Sequence, residues 1–216
     1  MEIISKNTFN SLIHAMDTKL LKTTYQRPKL LENSNGKMIK VFYPKNKKFS
    51  SNRRKPYALR FCQNADLLRQ KGIQTPTIES LQYCQDYNTY ILSYAKIPGE
   101  NARVLAGQNS QTMIPLVAQY IASLHQKGIF FRSLHLENLL FDNNKGFSLI
   151  DIVDVKLNRG PLNIFLRYRN LKHMLTISDD RQFWIDYGIH HFMKFYFDAT
   201  CLSLVTKKSL SLLLKL

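Results

Sequence analysis

The sequence has few cysteines and no long apolar run, and each shortage argues against a class of protein. Its three cysteines, Cys62, Cys84 and Cys201, are scattered and odd in number, so they give neither a disulfide framework nor a metal-ligand spacing. This pattern fits a reducing compartment. The N-terminus lacks a continuous apolar stretch, so no signal peptide is expected, and no segment is long enough and apolar enough to span a bilayer.

Acidic residues are also scarce, which points to an anionic partner. The chain has 31 Lys and Arg against 15 Asp and Glu, a net charge of +16, and the first 60 residues carry an excess of eleven positive charges. Such a field favours phosphorylated glycolipid, a membrane surface or nucleic acid as the partner, unless it serves only to solubilise the surface. Nucleic acid is the least favoured, because no helix-turn-helix, zinc or RNA-recognition signature is present.

What is present is the composition of a packed protein, with 44% hydrophobic and 21% charged residues. The pattern predicts a hairpin turn at 33–36 between two strands, the second over 37–43. It then predicts a basic loop over 46–56, a helix over 57–71, strands over 77–84 and 87–94, a linker at 97–99 and a helix over 112–127. Mostly helical chain follows residue 154. This order of strands, helix, strands and then helices predicts an α+β fold.

The stretch from Gly128 to Asp154 carries the clearest chemical signal. Arg132 is followed six residues later by Asn138, then by a short apolar run, a turn and a second apolar run that ends near Asp151. The turn should bring Asn138 and Asp151 together, and an amide oxygen and a carboxylate are ligands that Mg²⁺ accepts beside waters and phosphates. We therefore expect both residues to bind a metal, with Asp154 as a second candidate acid. Alternatively, Asn138 stabilises the turn and Asp151 is a helix cap.

This motif and two others resemble the protein-kinase-like fold. They are most similar to the bacterial lipopolysaccharide core kinase family, which includes heptose and Kdo kinases and proteins of the InaA and toluene-tolerance type. The resemblance spans roughly Lys29 to Arg181. The other two motifs are Gly36–Phe42, similar to the strand that carries a nucleotide-binding lysine, and Gly72–Pro76, similar to the family's helix-to-strand junction.

The resemblance implies two lobes and a phosphotransferase. Residues 1–96 would form a small β-rich N-lobe with one helix, and residues 97–216 a mainly helical C-lobe. The activity would be ATP- and Mg²⁺-dependent transfer to a sugar of the lipopolysaccharide core, an anionic glycolipid. The protein would be cytoplasmic and in peripheral contact with the inner membrane of a Gram-negative bacterium. Lys40 would contact the ATP phosphates, unless it is a solvated strand lysine, and Asn138 and Asp151 would hold the nucleotide through the metal.

The chain departs from the family pattern at Ser133, which stands where the catalytic Asp is expected after Arg132. Serine cannot act as a general base at neutral pH. Either His135 or Glu137 accepts the proton, or positioning alone suffices, or the chain is a catalytically silent nucleotide-binding module. The candidate catalytic residues are thus Arg132, Ser133 and His135, with Arg132 expected to order the loop by hydrogen bonding.

Two further parts of the family pattern are incomplete. The helix after Lys40 offers Asn64 and, in a shifted register, Asp66 where an ion-pairing Glu is expected. The glycine-rich phosphate loop is missing, since only Gly36 lies in the first predicted hairpin. Phosphate binding would then depend more on Lys40 and the metal.

Two basic segments remain open to more than one interpretation. Arg167, Arg169 and Lys172 either bind the anionic acceptor or form a solvated helix face. The C-terminal segment 199–216 either lies on a membrane as an amphipathic helix or packs as a terminal core helix.

Overall fold

The computed structural model describes residues 1–15, 17–44 and 55–215 and divides the chain into two compact units. The first comprises residues 1–70 with 75–97, and the second comprises 71–74 with 98–216. The first unit is rich in strands and the second is mainly helical, which confirms the predicted fold class. The basic loop predicted over 46–56 lies mostly outside the described residues.

The first unit is built on a six-stranded sheet. Its strands are β1 (Glu2–Ile4), β2 (Thr18–Thr24), β3 (Arg27–Asn33), β4 (Lys37–Phe42), β5 (Ile78–Cys84) and β6 (Thr89–Ala95), and its helices are α1 (Lys6–Ile13) and α2 (Tyr57–Gln70). The strand order is β1-β5-β6-β4-β3-β2, with β1 and β5 parallel and the other neighbours antiparallel. Strand β4 therefore lies inside the sheet, between β6 and β3.

The two faces of β4 are covered by different helices, because successive residues of a strand point to opposite sides. Ile39 and Val41 belong to a buried cluster with Phe9 of α1. On the other face, the ring of Phe42 lies 6.1 Å from the ring of Phe61 on α2. The even-numbered residues of β4 therefore face α2.

The turns of this sheet confirm one prediction and correct another. The turn at 33–36 is present: Gly36 has a φ of 71°, and the side chain of Asn33 accepts the backbone N–H of Lys37 at 2.8 Å. The first hairpin, however, joins β2 to β3 through Tyr25 and Gln26, whose φ values are 47° and 60°. Positive φ at both central residues is typical of a type I′ turn. The first hairpin turn, where a phosphate loop would be expected, therefore comes before Gly36 and contains no glycine.

The second unit consists mostly of helices. These are α3 (Ala102–Gln108), α4 (Ser110–Gln126), α5 (Ile164–Thr176), α6 (Ser178–Tyr187), α7 (Ile189–Asp198) and α8 (Leu204–Leu214), and the short strands are β7 (Glu100–Asn101), β8 (Ile129–Phe131), β9 (Leu139–Asp142), β10 (Gly146–Leu149) and β11 (Val155–Leu157). Helix α4 confirms the helix predicted over 112–127, and it packs against α3 and α7 with Ile114, Val117 and Ile121 fully buried. The β10-β9-β7 sheet and the β8–β11 pair lie in the same unit.

The chain enters β8 through a close backbone approach at Gly128. This residue has a φ of 75°, and a Cβ placed on it would lie 2.3 Å from the carbonyl oxygen of Gly160. The backbone N–H of Asn158 donates to the carbonyl of Gly128 at 2.8 Å. Only glycine satisfies both the left-handed conformation and this spacing.

The C-terminal segment forms α8, which packs against α5. Leu210 is fully buried, whereas Leu204 and Leu212 are strongly exposed. The helix is therefore only partly a core helix. Within residues 1–15, 17–44 and 55–215, no helix combines the length and the apolar character needed to cross a membrane.

Candidate functional site

The loop from Arg132 to Asn138 is fixed at both ends by short strands. Strand β8 ends just before it and pairs with β11, whereas β9 begins just after it and pairs with β10. The backbone N–H of Arg132 also donates to the carbonyl of Asp154 at 3.3 Å. The loop and the segment 150–154 are therefore neighbours in space.

Asn138 and Asp151 lie close together at the base of the β9–β10 hairpin. The backbone N–H of Ile150 donates to the carbonyl of Asn138 at 3.0 Å, which extends the antiparallel ladder by one residue. At the other end, a side-chain oxygen of Asp142 accepts two backbone N–H groups of the turn at 2.9 Å. The hairpin thus brings together the two residues that the sequence pattern predicts to share a metal.

The side chain of Asn138 is held in one orientation. It is buried, and its Nδ2 donates to the backbone carbonyl of Ser133 at 2.8 Å. Its Oδ1 accepts no hydrogen bond from any residue that the structure describes. Asn138 therefore stabilises the loop with its nitrogen and leaves its oxygen available as an acceptor.

Asp151 has an unusual backbone conformation for an aspartate. Its φ and ψ are 52° and 43°, in the left-handed region that non-glycine residues seldom adopt. Its side chain makes no capping hydrogen bond to the 3-10 helix Ile152–Asp154 that follows, so it does not act as the predicted alternative cap. Strained backbone of this kind concentrates at functional sites, so Asp151 remains a candidate site residue.

The donors available here fit a magnesium ion that arrives with a nucleotide. Both are oxygens, and Mg²⁺ bound beside phosphates needs only one or two protein ligands, the rest being water and phosphate oxygen. In the described part of the chain, no group of three or more His, Cys, Asp or Glu side chains can hold a metal. The arrangement suits a shared metal and not one enclosed by protein alone.

His135 is the residue of the loop with a perturbed acidity. Its ring is half-buried, and Nδ1 is buried without a hydrogen-bond partner among the described residues. Burial lowers the pKa of His135 below its usual value, and the negative charges of Asp180 and Glu137 oppose this only in part. The ring is therefore neutral at pH 7, the form that can accept a proton.

Asp180 of α6 holds the second half of the loop, and no sequence pattern marks it. Its carboxylate is fully buried: one oxygen accepts the backbone N–H of Leu136 at 2.9 Å, and the other accepts Nε–H of Arg103 at 2.6 Å. Arg103 also lies 3.5 Å from the carboxylate of Glu137. We call Arg103, Glu137 and Asp180 the Asp180 cluster.

A second set of buried side chains holds the residue before the loop. Asn170 brackets Phe131, because its Oδ1 accepts the backbone N–H at 3.3 Å and its Nδ2 donates to the carbonyl at 2.6 Å. His125 Nε2 lies 3.2 Å from the same Oδ1, and its Nδ1 lies 2.8 Å from the hydroxyl of Tyr196, which accepts from Arg167 at 2.8 Å. We call His125, Arg167, Asn170 and Tyr196 the His125 network.

Burial keeps the imidazole of this network neutral. It lowers the pKa of His125 to about 3, and the nearby charge of Arg167 acts in the same direction. Because Tyr196 receives a hydrogen bond from Arg167, its own O–H can point to Nδ1 of His125. The proton of the neutral ring then lies on Nε2 and points to Asn170.

The structure contradicts both interpretations of Arg167, as an acceptor-binding residue and as part of a solvated helix face. Its side chain is 1% exposed, and its Nε donates to the carbonyl of Leu162 at 2.8 Å. It is part of the core behind the loop and cannot reach a substrate. Arg169 and Lys172 on the same helix are exposed and remain available to an anionic group.

In the first unit, Lys40 occupies the centre of β4 opposite Leu30 of β3 and Leu92 of β6. It is 6% exposed, which excludes the alternative of a solvated strand lysine. Its Nζ lies 5.0 Å from the ring centre of Phe61 and 5.7 Å from that of Phe42, within the range of cation–π contacts. The ammonium group is thus confined by its surroundings and not free to sample solvent.

The helix that faces Lys40 presents different groups on its two sides. Asn64 is buried, whereas Asp66 is exposed and forms an ion pair with Arg69 one turn later. Asp66 is therefore directed to solvent, and it does not replace the missing glutamate next to a buried lysine.

Among known proteins, the chain is similar to solved structures. No protein-family model matches the chain, and no curated protein matches it. Two similar solved structures are of WbdD, one with the kinase inhibitor LY294002 and one described as a bifunctional kinase-methyltransferase. The first has 14% identity and a TM-score of 0.46 over 90% of this chain and 45% of that one. The second has 13% identity and a TM-score of 0.47 over 87% and 42%.

The chain thus spans less than half the length of the WbdD chains that it matches. Both TM-scores lie below 0.5, so neither likeness carries an argument about what this chain does.

Proposed function

We propose that this chain is an ATP-dependent phosphotransferase that acts on a sugar hydroxyl, like the heptose and Kdo kinases of the lipopolysaccharide core that its sequence resembles. The pairing of Asn138 with Asp151 is the observation that carries the proposal. The amide of Asn138 uses its nitrogen to bind the Ser133 carbonyl and keeps its oxygen for a ligand. Asp151 is the residue after Ile150, whose backbone N–H donates to the carbonyl of Asn138.

Each candidate residue has a role in this proposal. Lys40 binds the α- and β-phosphates as a fixed positive charge, and Asn138 and Asp151 hold the magnesium ion. Bound there, the ion would neutralise charge on the phosphates. Ser133 contributes its carbonyl, which fixes the amide of Asn138, and Arg132 contributes its backbone N–H, which fixes the start of the loop to Asp154.

The transfer also has to remove a proton. The bond from the γ-phosphorus to the bridging oxygen breaks, a bond to the sugar oxygen forms, and the hydroxyl proton leaves. His135 is the proposed proton acceptor because it is neutral at pH 7 and lies in the same loop. Its lowered pKa makes it a weak base, which suits a loose transition state that needs little proton transfer.

The proposed acceptor is the anionic lipopolysaccharide core at the cytoplasmic face of the inner membrane of a Gram-negative bacterium. The net charge of +16 supports an anionic acceptor, and the exposed Arg169 and Lys172 are candidates to bind it. Ser133 favours a second candidate function, a kinase-like module that binds nucleotide without transferring phosphate.

The deciding experiment measures Mg²⁺-dependent phosphate transfer from ATP to deacylated core lipopolysaccharide, together with Mg·ATP binding by calorimetry. We expect Asp151→Ala to lower the transfer rate more than about a hundredfold, because the metal site contributes several kcal/mol to such reactions. The matched variant Asp154→Ala removes the second candidate acid, and retained activity in this variant would assign the metal to Asp151. Binding without transfer in the wild type would favour the silent module, and neither binding nor transfer would contradict both.

The base is tested separately with His135→Gln. We expect the rate to fall by about tenfold, less than the 10²-fold typical of a general base, because a loose transition state needs little proton transfer. The affinity for Mg·ATP should stay unchanged. An unchanged rate would show that His135 does not accept the proton and that positioning alone drives the transfer.

A further inference from the structure

We propose that the exposed face of α8 is a docking surface for a bilayer that contains anionic lipid. The face consists of Leu204, Val205, Lys208 and Leu212. The inference does not depend on the phosphotransferase proposal, because it rests on the exposure and charge of one helix.

The α8 face is apolar and unusually open to solvent. Leu204 is 83% exposed, Val205 75% and Leu212 78%. Positions 204, 208 and 212 are spaced by four residues and form one row along the helix. The buried Leu210 anchors α8 in the unit, and α5 packs against it, so the helix is held in place while this row remains uncovered.

The α8 segment and the helix that packs against it carry charged side chains of one sign. Neither α5 nor the whole segment 199–216 contains an acidic residue, whereas the segment carries Lys207, Lys208 and Lys215. Arg169 and Lys172 are exposed on α5. Lysines attract anionic headgroups, and a lysine within an apolar row can lay its stem along the leucines and extend its ammonium to the headgroups. The chemistry thus matches a membrane interface.

The same observations disfavour a protein as the occupant. Two copies joined through this face would bring Lys208 towards the other copy's basic helix, so like charges would meet. The row lies on an eleven-residue helix, about 16 Å long. A stable protein interface uses about 800 Å² and 20–30 residues on each side. Insertion into a bilayer has no such threshold, because each apolar side chain contributes its own transfer free energy.

The test is co-sedimentation of the full chain, without ATP, with phosphatidylcholine vesicles that contain or lack phosphatidylglycerol. We expect binding to the anionic vesicles. The double variant Leu204→Ser/Leu212→Ser should lower the partition coefficient more than about tenfold. The double variant Lys207→Gln/Lys208→Gln should lower it about fivefold for each lysine, on anionic vesicles alone.

Two matched variants serve as controls. Ile185→Ser removes an apolar side chain that is 60% exposed on α6, and Lys194→Gln removes an exposed charge on α7. Both should bind vesicles as the wild type does. Circular dichroism of every variant checks that the helices remain folded.

A fluorescent variant gives an independent readout. The single native tryptophan, Trp184, is 1% exposed, so Leu212→Trp adds the responsive signal, and its emission should shift to the blue on anionic vesicles. Absence of binding, binding that ignores the leucine substitutions, or an unshifted emission would overturn the proposal. So would light scattering that shows self-association lost in the leucine variant, because a second copy would then cover the face.

Discussion

The two ends of the loop Arg132–Asn138 are held by groups of different chemistry. At Phe131, a neutral amide of the buried His125 network binds both backbone groups. At Leu136, the buried carboxylate of Asp180 accepts the backbone N–H and is itself paired with Arg103, which is 30% exposed. One end therefore depends on shape and hydrogen bonding, and the other depends on charge.

The comparison explains how the chain accommodates a serine at the position of the expected catalytic acid. Both anchors bind backbone atoms, at Phe131 and Leu136, so neither depends on the side chain of residue 133. The carbonyl that holds Asn138 is also a backbone atom. A serine at position 133 therefore lacks the functional group of an acid but leaves the loop geometry and the candidate metal ligand in place.

Substitution of the charged anchor, Asp180, should lower the free energy of unfolding the most. Asp180→Asn removes the negative partner of Arg103, and breaking a buried ion pair costs about 3–5 kcal/mol; we expect the low end of this range because Arg103 is partly exposed. Urea unfolding measures the change. The matched variant Asp179→Asn, on the neighbouring residue at 4.0 Å from Arg103 and 62% exposed, should cost less than about 0.5 kcal/mol. Equal effects would contradict the assigned role of Asp180.

Removal of one hydroxyl from the His125 network, the neutral anchor, should also lower the free energy of unfolding. Tyr196→Phe leaves Nδ1 of His125 and the guanidinium of Arg167 without this partner, which should lower the free energy of unfolding by about 2 kcal/mol. Tyr168→Phe makes the same change at a partly exposed hydroxyl that accepts from Lys172. If both variants lose the same stability, the network does not act as a unit.

The free energy of unfolding should also depend on pH through His125 of the neutral anchor. The pKa of His125 is about 3 in the folded chain and near 6.5 when unfolded, so between these values the unfolded chain binds the extra proton. The stability due to the neutral ring is complete above pH 6.5 and falls with pH below it, by up to about 1.4 kcal/mol per unit. His125→Gln should make this slope shallower in urea unfolding and leave the part due to His135, whose pKa is also lowered. Above pH 7 the two curves should run parallel, and a slope as steep as that of the wild type would rule out His125.

The sequence predicts that Asn138 and Asp151 lie close together. Both belong to one local hairpin, in which the spacing along the chain determines which residues meet. The same holds for the turn at 33–36 and the helices at 57–70 and 110–126. Strand β2 was not recognised because its residues, Thr18–Thr24, show no clean alternation and are mostly exposed.

No sequence pattern predicts the residues that anchor the loop, because their contacts are distant along the chain. Asp180 meets Leu136 across 44 residues and Arg103 across 77, and two acids at a helix start are ordinary there. Arg167 was misassigned because a basic residue on a helix usually faces solvent. Its burial depends on Tyr196, 29 residues later, which only the packed fold brings near.

The tight backbone approach at Gly128 also limits how such a chain can evolve. Any side chain there would collide with the Gly160 carbonyl, whether or not phosphate is transferred. A glycine at position 128 is therefore required by the backbone geometry alone. The side chain of Asn138 is also fixed by the loop, whereas the carboxylate of Asp151 would be needed only for the proposed metal.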